Sequence, residues 1–327
     1  MSELDFRQPA WVERVPAWLD GQPTTRLIFI FRAIGCAYAR RLDGGCTMCG
    51  FAEMSTKGVR VPPEDLVAQL DSVLDAPGAL DGVGEVDLYN SGSFFADQEI
   101  PPEVRAHVLG RLGRSTVRRV LVEARPEHVK AHDLVAARAA LGDRELEVGI
   151  GLESADDHVR EVLVHKGFGR ADFERAARVL GEAGARLLAY LIIKPPGLSE
   201  AEAVEDAVAS ARYVFEVAAR TGVHARAAYQ PTFVARGTLL EREFQAGRYQ
   251  PPSLWSVVAI VRRAHAAGEL TVGLSDEGLE PHRLPSGCAA CTPRLRAALG
   301  EYNRTRELGA LEGLACGCEG AGAGAGE

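Results

Sequence analysis

Three cysteines lie close together in a glycine-containing stretch, "GCAYARRLDGGCTMCGF", which covers residues 35–51. Cys36, Cys46 and Cys49 follow the spacing C-x9-C-x2-C. Three thiolates can bind three irons of a [4Fe–4S] cluster and leave the fourth iron open to another ligand. The alternatives are a zinc site that borrows a fourth ligand and three cysteines of the core. The surrounding glycines are untypical of a core, so the sequence favours a metal site.

Four further cysteines form two pairs near the C-terminus: Cys288 and Cys291, then Cys316 and Cys318. Four thiolates complete a tetrahedral zinc site, and they equally complete an auxiliary [4Fe–4S] cluster. The spacing does not choose between these metals. We favour the auxiliary cluster, because the first loop already requires that the cell assemble an iron–sulfur cluster on this chain.

Composition restricts the partners and the compartment. The chain has 327 residues, with 37 Lys and Arg against 45 Asp and Glu, so its formal net charge is −8. An acidic chain is a poor general binder of polyanions, which argues against nucleic acid as the main partner. No apolar run is long enough to span a bilayer, and the N-terminus lacks a secretory signal. We therefore expect a cytoplasmic protein whose cysteines bind metal or act in catalysis.

Short β-rich runs alternate with amphipathic helical runs along the chain. Strands are predicted at 25–31, 85–90, 117–123, 145–150, 185–193 and 223–229, with a possible seventh at 270–274. Helices are predicted between them, including one that Ser199 and Glu202 begin with a capping box.

Repeated β–α units predict a parallel sheet, here a partial (β/α) barrel of about six strands with a small cysteine-containing C-terminal extension. Chemistry on such folds lies on the loops at the carboxyl ends of the strands, where the cysteine loop is expected. We divide the chain into an N-terminal extension (1–24), the barrel (25–280), a four-cysteine metal-binding extension (281–318) and a disordered Gly/Ala tail (319–327).

The sequence resembles the radical S-adenosylmethionine (SAM) superfamily over roughly residues 27–241. Within it, "GGCTMCGF" is most similar to the radical SAM subunit of archaeosine synthase and its bacterial relatives. It is more distantly similar to the elongator catalytic subunit, which shares the long first cysteine gap. Most members instead have C-x3-C-x2-C with an aromatic residue where this chain has Met48, so Phe51 is the candidate to pack on adenine.

The resemblance implies functional roles for residues at successive strand ends. "NSGSFF" is similar to the glycine-rich segment that meets the SAM amino group, and "VEARPE" is similar to an E-x-R-P segment. The implied cofactor-binding residues are Asn90, Ser91, Gly92, Ser93, Glu123, Arg125 and Glu153. The implied substrate-side residues are Lys194, Tyr229 and Arg236. His165 and Lys166 also resemble a family segment, although a solvated helix end explains them equally.

The resemblance implies that SAM is chelated by the cluster and cleaved by an electron from a flavodoxin- or ferredoxin-type donor. The resulting 5′-deoxyadenosyl radical would take hydrogen from a small nucleoside- or sugar-like substrate. An auxiliary cluster would add the possibility of sulfur insertion. Two alternatives remain: modification of a tRNA base, as in archaeosine synthesis, and a non-catalytic zinc-binding adaptor.

Overall fold

The computed structural model describes residues 5–318, apart from the side chains of Ala52 and Glu53. One sheet of eight strands, arranged in chain order, runs through the described part of the chain. The strands are β1 Trp11–Leu19, β2 Gln22–Ile30, β3 Val83–Tyr89, β4 Arg119–Glu123, β5 Glu145–Glu153, β6 Arg186–Ile193, β7 Ala225–Pro231 and β8 Leu270–Val272. From β2 to β8 every neighbouring pair is parallel, which confirms the predicted partial barrel.

Helices connect the parallel strands, and one more follows β8. They are α1 Pro63–Leu74, α2 Pro102–Gly113, α3 Ala131–Leu141, α4 Arg170–Glu182, α5 Glu200–Thr221, α6 Leu239–Gln245, α7 Leu254–Ala264 and α8 Thr292–Thr305. The predicted capping box at the start of α5 is confirmed: Ser199 Oγ accepts from the Glu202 N–H, and the Glu202 carboxylate accepts from the Ser199 N–H. A short π-helical turn, Val159–Leu163, lies between β5 and α4.

Strand β1 was not predicted from the sequence. It pairs antiparallel with β2 through a two-residue turn, in which Asp20 and Gly21 both have positive φ. Asp-Gly is a preferred sequence for this type of tight hairpin turn, so the dipeptide was a usable signal. The hairpin extends the sheet on the side of β2, the strand that leads into the cysteine loop.

The two faces of the sheet differ in chemistry. The helix-facing side is apolar, and alternate residues such as Val120, Val122 and Leu152 belong to the main core. The inner side carries polar groups: Arg226 donates to Glu85 and Glu147, both almost fully buried. Side chains alternate between the faces along a strand. This alternation decides which residues can enter the barrel.

The described residues include no helix long and apolar enough to cross a membrane. The predicted disordered tail, 319–327, lies outside the described residues. The division at 24/25 and 280/281 stays a proposal.

Candidate active site

The cysteine loop begins directly after β2, at the carboxyl end of the parallel sheet. Gly35 turns the chain with φ 87°, and a Cβ there would come within 2.8 Å of Ser55. Cys36, Cys46 and Cys49 are half-buried. Desolvation raises the pKa of the Cys46 thiol, and it raises the pKa of Cys49 to about 12. Metal binding to these thiols would therefore have to release their protons.

Glu99 joins the cysteine loop to the segment after β3. Its carboxylate accepts from the Ala37 N–H at 2.8 Å, the Ser93 N–H at 2.5 Å and the Asn90 side-chain amide at 3.1 Å. Glu99 is buried, with 2% of its surface exposed. One carboxylate thus holds the residue after Cys36 against the predicted SAM-binding segment.

A second set of contacts fixes the other end of the loop. Tyr38 donates its hydroxyl hydrogen to the His165 carbonyl at 2.9 Å, and His165 Nδ1 lies 2.9 Å from the Gly45 carbonyl. Thr47 donates to the Leu163 carbonyl at 2.9 Å. The loop is therefore tied to the chain between the π-helical turn and α4.

Arg125 lies at the centre of these contacts. It donates to the carbonyls of Lys166 and Gly167 and to the Glu127 carboxylate, and its guanidinium lies 4.2 Å from the centre of the Tyr38 ring. These contacts engage the guanidinium of Arg125, for which the resemblance implies a role in cofactor binding. In this structure, the contacts of Arg125 stabilise the position of the cysteine loop.

A mostly buried ion pair lies at the end of β5. Lys166 Nζ lies 2.7 Å from Glu153 Oε1, and a Cβ at Gly151 would collide with both groups. Burial lowers the pKa of Lys166, but Glu153 and Cys46 outweigh it and hold that pKa above its usual value. The glycine in β5 therefore makes room for a charged pair beside the cysteine loop.

Glu123 lies on the inner side of the barrel at the end of β4. Burial raises its pKa to about 7, against the lowering effect of the nearby Tyr190 hydroxyl. A Cβ at Gly149 would meet Tyr190 at 2.9 Å and Glu123 at 3.3 Å. A second β5 glycine thus opens space beside a carboxyl group that titrates near neutrality.

The segment after β3 has the features of a ligand cradle. Asn90 is fully buried, and its Oδ1 has no hydrogen-bond partner among the described residues. A Cβ at Gly92 would lie 1.9 Å from Glu99 Oε2 and 3.1 Å from Cys36 Cα. Ser93 Oγ accepts from the Arg125 N–H at 3.0 Å. Asn90 Oδ1 is a buried hydrogen-bond acceptor without a partner, and the backbone at Gly92 carries no side chain. Together they fit the ammonium group of SAM near Cys36.

The backbone of the strand ends is itself unusual. Ser91, Glu153 and Lys194 have φ of 54°, 66° and 60°, in the left-handed region that non-glycine residues seldom adopt. Such conformations persist where surrounding contacts impose them, and they cluster at functional sites.

The three predicted substrate-side residues do not come together. Lys194 is paired with Glu200 at 2.7 Å, and Arg236 forms an exposed ion pair with Glu280. Tyr229 is fully buried on the helix-facing side, where its hydroxyl donates to the Ala207 carbonyl of α5. The next residue, Gln230, lies on the opposite face of β7, which is the inner one.

Of the two large apolar residues beside Cys49, Met48 is packed and Phe51 is exposed. Met48 packs against two small apolar clusters that include Ile192 and Val234. Phe51 is 52% exposed and therefore remains available to pack on a ligand.

The seven cysteines form two separate groups. Cys288, Cys291, Cys316 and Cys318 lie together, with their sulfur atoms all within 4.8 Å of one another, so they could hold a metal. Within residues 5–318 the loop thiols do not form such a compact group.

Sequence reasoning missed two residues of the site and set aside a third. Glu99 and Tyr38 carried no local signal, because their partners are distant in sequence. Lys166 was noted with His165, yet a helix end explained it equally well. Its buried pairing with Glu153 favours a place in the site.

Comparisons with known proteins identify the class first. No protein-family model matches the chain. A radical SAM methyltransferase from Sphaerobacter thermophilus superposes with a TM-score of 0.52 at 16% identity, covering 82% of this chain and 78% of that one. This match shows the fold, a partial β/α barrel.

Sequence relatives are more specific. An archaeosine synthase subunit beta from Methanosarcina acetivorans is 32% identical over 311 residues, 92% of this chain and 85% of the relative. A protein of the same name from Thermococcus kodakarensis is 32% identical over 297 residues, 90% of this chain and 89% of the relative. The chain belongs to the archaeosine synthase subunit beta family.

Proposed function

We propose that this chain is the radical SAM subunit of an enzyme that modifies an archaeosine-type nucleoside. The observation that carries the proposal is the three-cysteine loop at the mouth of the barrel, held beside a ligand cradle by Glu99. With Cys36, Cys46 and Cys49 as ligands, a [4Fe–4S] cluster with SAM would supply the 5′-deoxyadenosyl radical for hydrogen abstraction.

The protein's own groups would bind and position the reactants. Asn90 Oδ1 and the ionised Glu123 would attract the ammonium group of SAM, and the backbone at Gly92 would allow its close approach. Arg125 and Tyr38 would hold the cysteine loop, and Phe51 would cover adenine. Glu153, paired with Lys166, would face the ribose or the substrate. A substrate role stays proposed for Lys194 and Arg236, whereas for Tyr229 the adjacent Gln230 is the better candidate.

The Glu123→Gln variant is expected to bind SAM more weakly while it keeps its cluster iron. The wild-type affinity should fall as the pH drops through about 7, because protonation removes the negative charge of Glu123. The variant should lack this pH dependence. Anaerobic equilibrium binding of SAM between about pH 6 and pH 8.5, with iron analysis of each sample, measures both effects.

Glu127→Gln is the matched control, since Glu127 is a half-exposed partner of Arg125. It should keep the wild-type pH dependence of SAM binding. If Glu123→Gln and the wild type gave the same affinity and the same pH profile, Glu123 would have no part in SAM binding.

The substrate could be a free nucleoside or a base within tRNA. The name archaeosine synthase subunit beta supports a multi-subunit enzyme and a nucleoside of tRNA. The net charge of −8 supports a small substrate for the chain alone. The name of the relatives and the acidic charge of this chain are both explained if a partner subunit supplies the affinity for tRNA.

The isolated chain is therefore expected not to bind tRNA specifically near physiological salt. A protein that neutralises several phosphates loses affinity steeply as salt rises. Fluorescence anisotropy with labelled tRNA over a salt series measures this directly. A sub-micromolar, strongly salt-dependent complex of the chain alone would show that it carries its own tRNA-binding surface.

The non-catalytic adaptor is the second candidate, because several predicted site groups are engaged in structural contacts. Such a protein would bind zinc alone. The radical SAM enzyme should instead become brown on anaerobic reconstitution, with absorbance near about 400 nm, and release 5′-deoxyadenosine under dithionite. The proposed electron donor, of flavodoxin or ferredoxin type, stays a prediction.

A further inference from the structure

The C-terminal cysteines form a compact group, which the loop cysteines do not within residues 5–318. Four Sγ–Sγ distances are 3.5 Å (Cys288–Cys291), 3.6 Å (Cys288–Cys316), 3.4 Å (Cys291–Cys318) and 3.4 Å (Cys316–Cys318). Four thiolates at about 2.3 Å from one zinc ion, at the corners of a tetrahedron, lie about 3.8 Å apart. In a [4Fe–4S] cluster each thiolate binds a different iron, so the sulfur atoms must surround the whole cluster.

We propose that Cys288, Cys291, Cys316 and Cys318 bind a single zinc ion and not an auxiliary iron–sulfur cluster. The compact set of distances leaves room for one ion. A closed four-thiolate zinc site has no open coordination position and no redox role. Sulfur insertion from this site is then excluded, and the site is structural.

The surrounding chain is shaped for thiolates. Cys288 and Cys291 lie in a turn that leads into α8, where the Cys291 and Thr292 N–H groups both donate to the Cys288 carbonyl. A Cβ at Gly287 would come within 2.5 Å of Cys291 Sγ. The indole N–H of Trp255 is buried beside Cys291 and has no hydrogen-bond partner within residues 5–318. A metal-bound thiolate is the acceptor that this buried donor lacks.

The zinc would hold α8 over the open edge of the sheet. Asn303 of α8 accepts from the Val272 N–H at 2.8 Å and donates to the Val272 carbonyl at 2.7 Å, in place of a ninth strand. Arg296 donates to the Leu274 carbonyl at 2.5 Å. Unpaired edge strands invite aggregation, and covering them with a helix prevents it. Cys316 and Cys318 join the chain beyond α8 to its first turn.

Metal analysis of the anaerobically purified full chain tests the proposal. We expect about one zinc and about four irons with matching sulfide. The Cys36→Ala/Cys46→Ala/Cys49→Ala variant should lose the iron and keep the zinc. The Cys316→Ser/Cys318→Ser variant should lose the zinc and keep the iron. About eight irons without zinc would indicate a second [4Fe–4S] cluster and would overturn the proposal. About five irons, with one of them bound alone by the C-terminal cysteines, would also overturn the proposal.

Cobalt substitution covers the case in which a serine variant fails to fold. The triple-alanine loop variant, which retains the C-terminal set, should bind about one Co²⁺ with the visible bands and thiolate charge transfer of a tetrahedral four-sulfur site. Zinc should displace the cobalt. Removal of the metal should increase amide hydrogen exchange in α8 and β8 more than in β4 and β5. A lack of tetrahedral cobalt bands, or unchanged exchange in α8, would contradict the structural zinc site.

Discussion

Replacing Cys36, Cys46 and Cys49 together by alanine is expected to abolish formation of 5′-deoxyadenosine from SAM. The three thiols are the proposed ligands of the cluster, and alanine cannot bind iron. The loop lies at the carboxyl end of the sheet and is held there by Glu99, Tyr38 and Thr47, so its geometry should survive the change. The assay is anaerobic reconstitution followed by chromatographic detection of 5′-deoxyadenosine under dithionite.

The Cys316→Ser/Cys318→Ser variant is the matched control, because it also removes thiols but leaves the loop intact. It should still release 5′-deoxyadenosine. Circular dichroism should give the same secondary structure for the triple-alanine variant and the wild type. Continued 5′-deoxyadenosine production by the triple variant would refute the proposed function.

The Glu99→Gln variant is expected to bind its cluster less tightly by about 10–100-fold, the usual cost of removing an outer-shell partner. The Glu99 carboxylate accepts three hydrogen bonds, from the backbone at Ala37 and Ser93 and from the Asn90 amide. The amide nitrogen of glutamine is a donor and must face at least one of these donors. The position of Cys36 relative to the SAM-binding segment should therefore loosen.

Iron retained after passage over a chelating column, and the rate of 5′-deoxyadenosine release, measure this effect. Glu103→Gln is the control, because Glu103 is an exposed residue in the first turn of α2. A purely structural role for Glu99 would lower the melting temperature and leave iron retention unchanged. That result, or wild-type behaviour in both assays, would contradict a positioning role.

The parallel strands and most helices could be predicted because their signals are local. "TRLIFIF" and "ARLLAYLII" are apolar runs of strand length, and Ser199 with Glu202 forms a capping box within one turn. The Asp20–Gly21 turn was also a local signal, and β1 was missed because Glu13, Arg14 and Pro16 interrupt its apolar residues. Helix α8 was not predicted, although its sequence follows the C-terminal cysteine pair directly.

The site could be predicted in part, for the residues whose spacing along the chain carries the information. Cys36, Cys46 and Cys49 are recognisable from their spacing. Tyr229 shows where such reasoning ends: the alternation in "ARAAYQP" places Arg226 and Gln230 on one face and Tyr229 on the other, but it does not say which face turns inward. Packing against α5 decides it, since the Tyr229 hydroxyl reaches Ala207 there.

The kinds of ligand that this protein offers can be read from its residues: three thiols in one loop, four in two later pairs, and polar residues after successive strands. Which of these groups meet depends on how the chain folds. The Glu99 carboxylate accepts a hydrogen bond from the Ala37 N–H, and Lys166 forms an ion pair with Glu153. The four C-terminal sulfur atoms lie close enough together to bind one metal ion. The reason is the separation along the chain between the groups that meet. Spacing and propensity act over a few residues, whereas these contacts depend on how separate strands and loops pack.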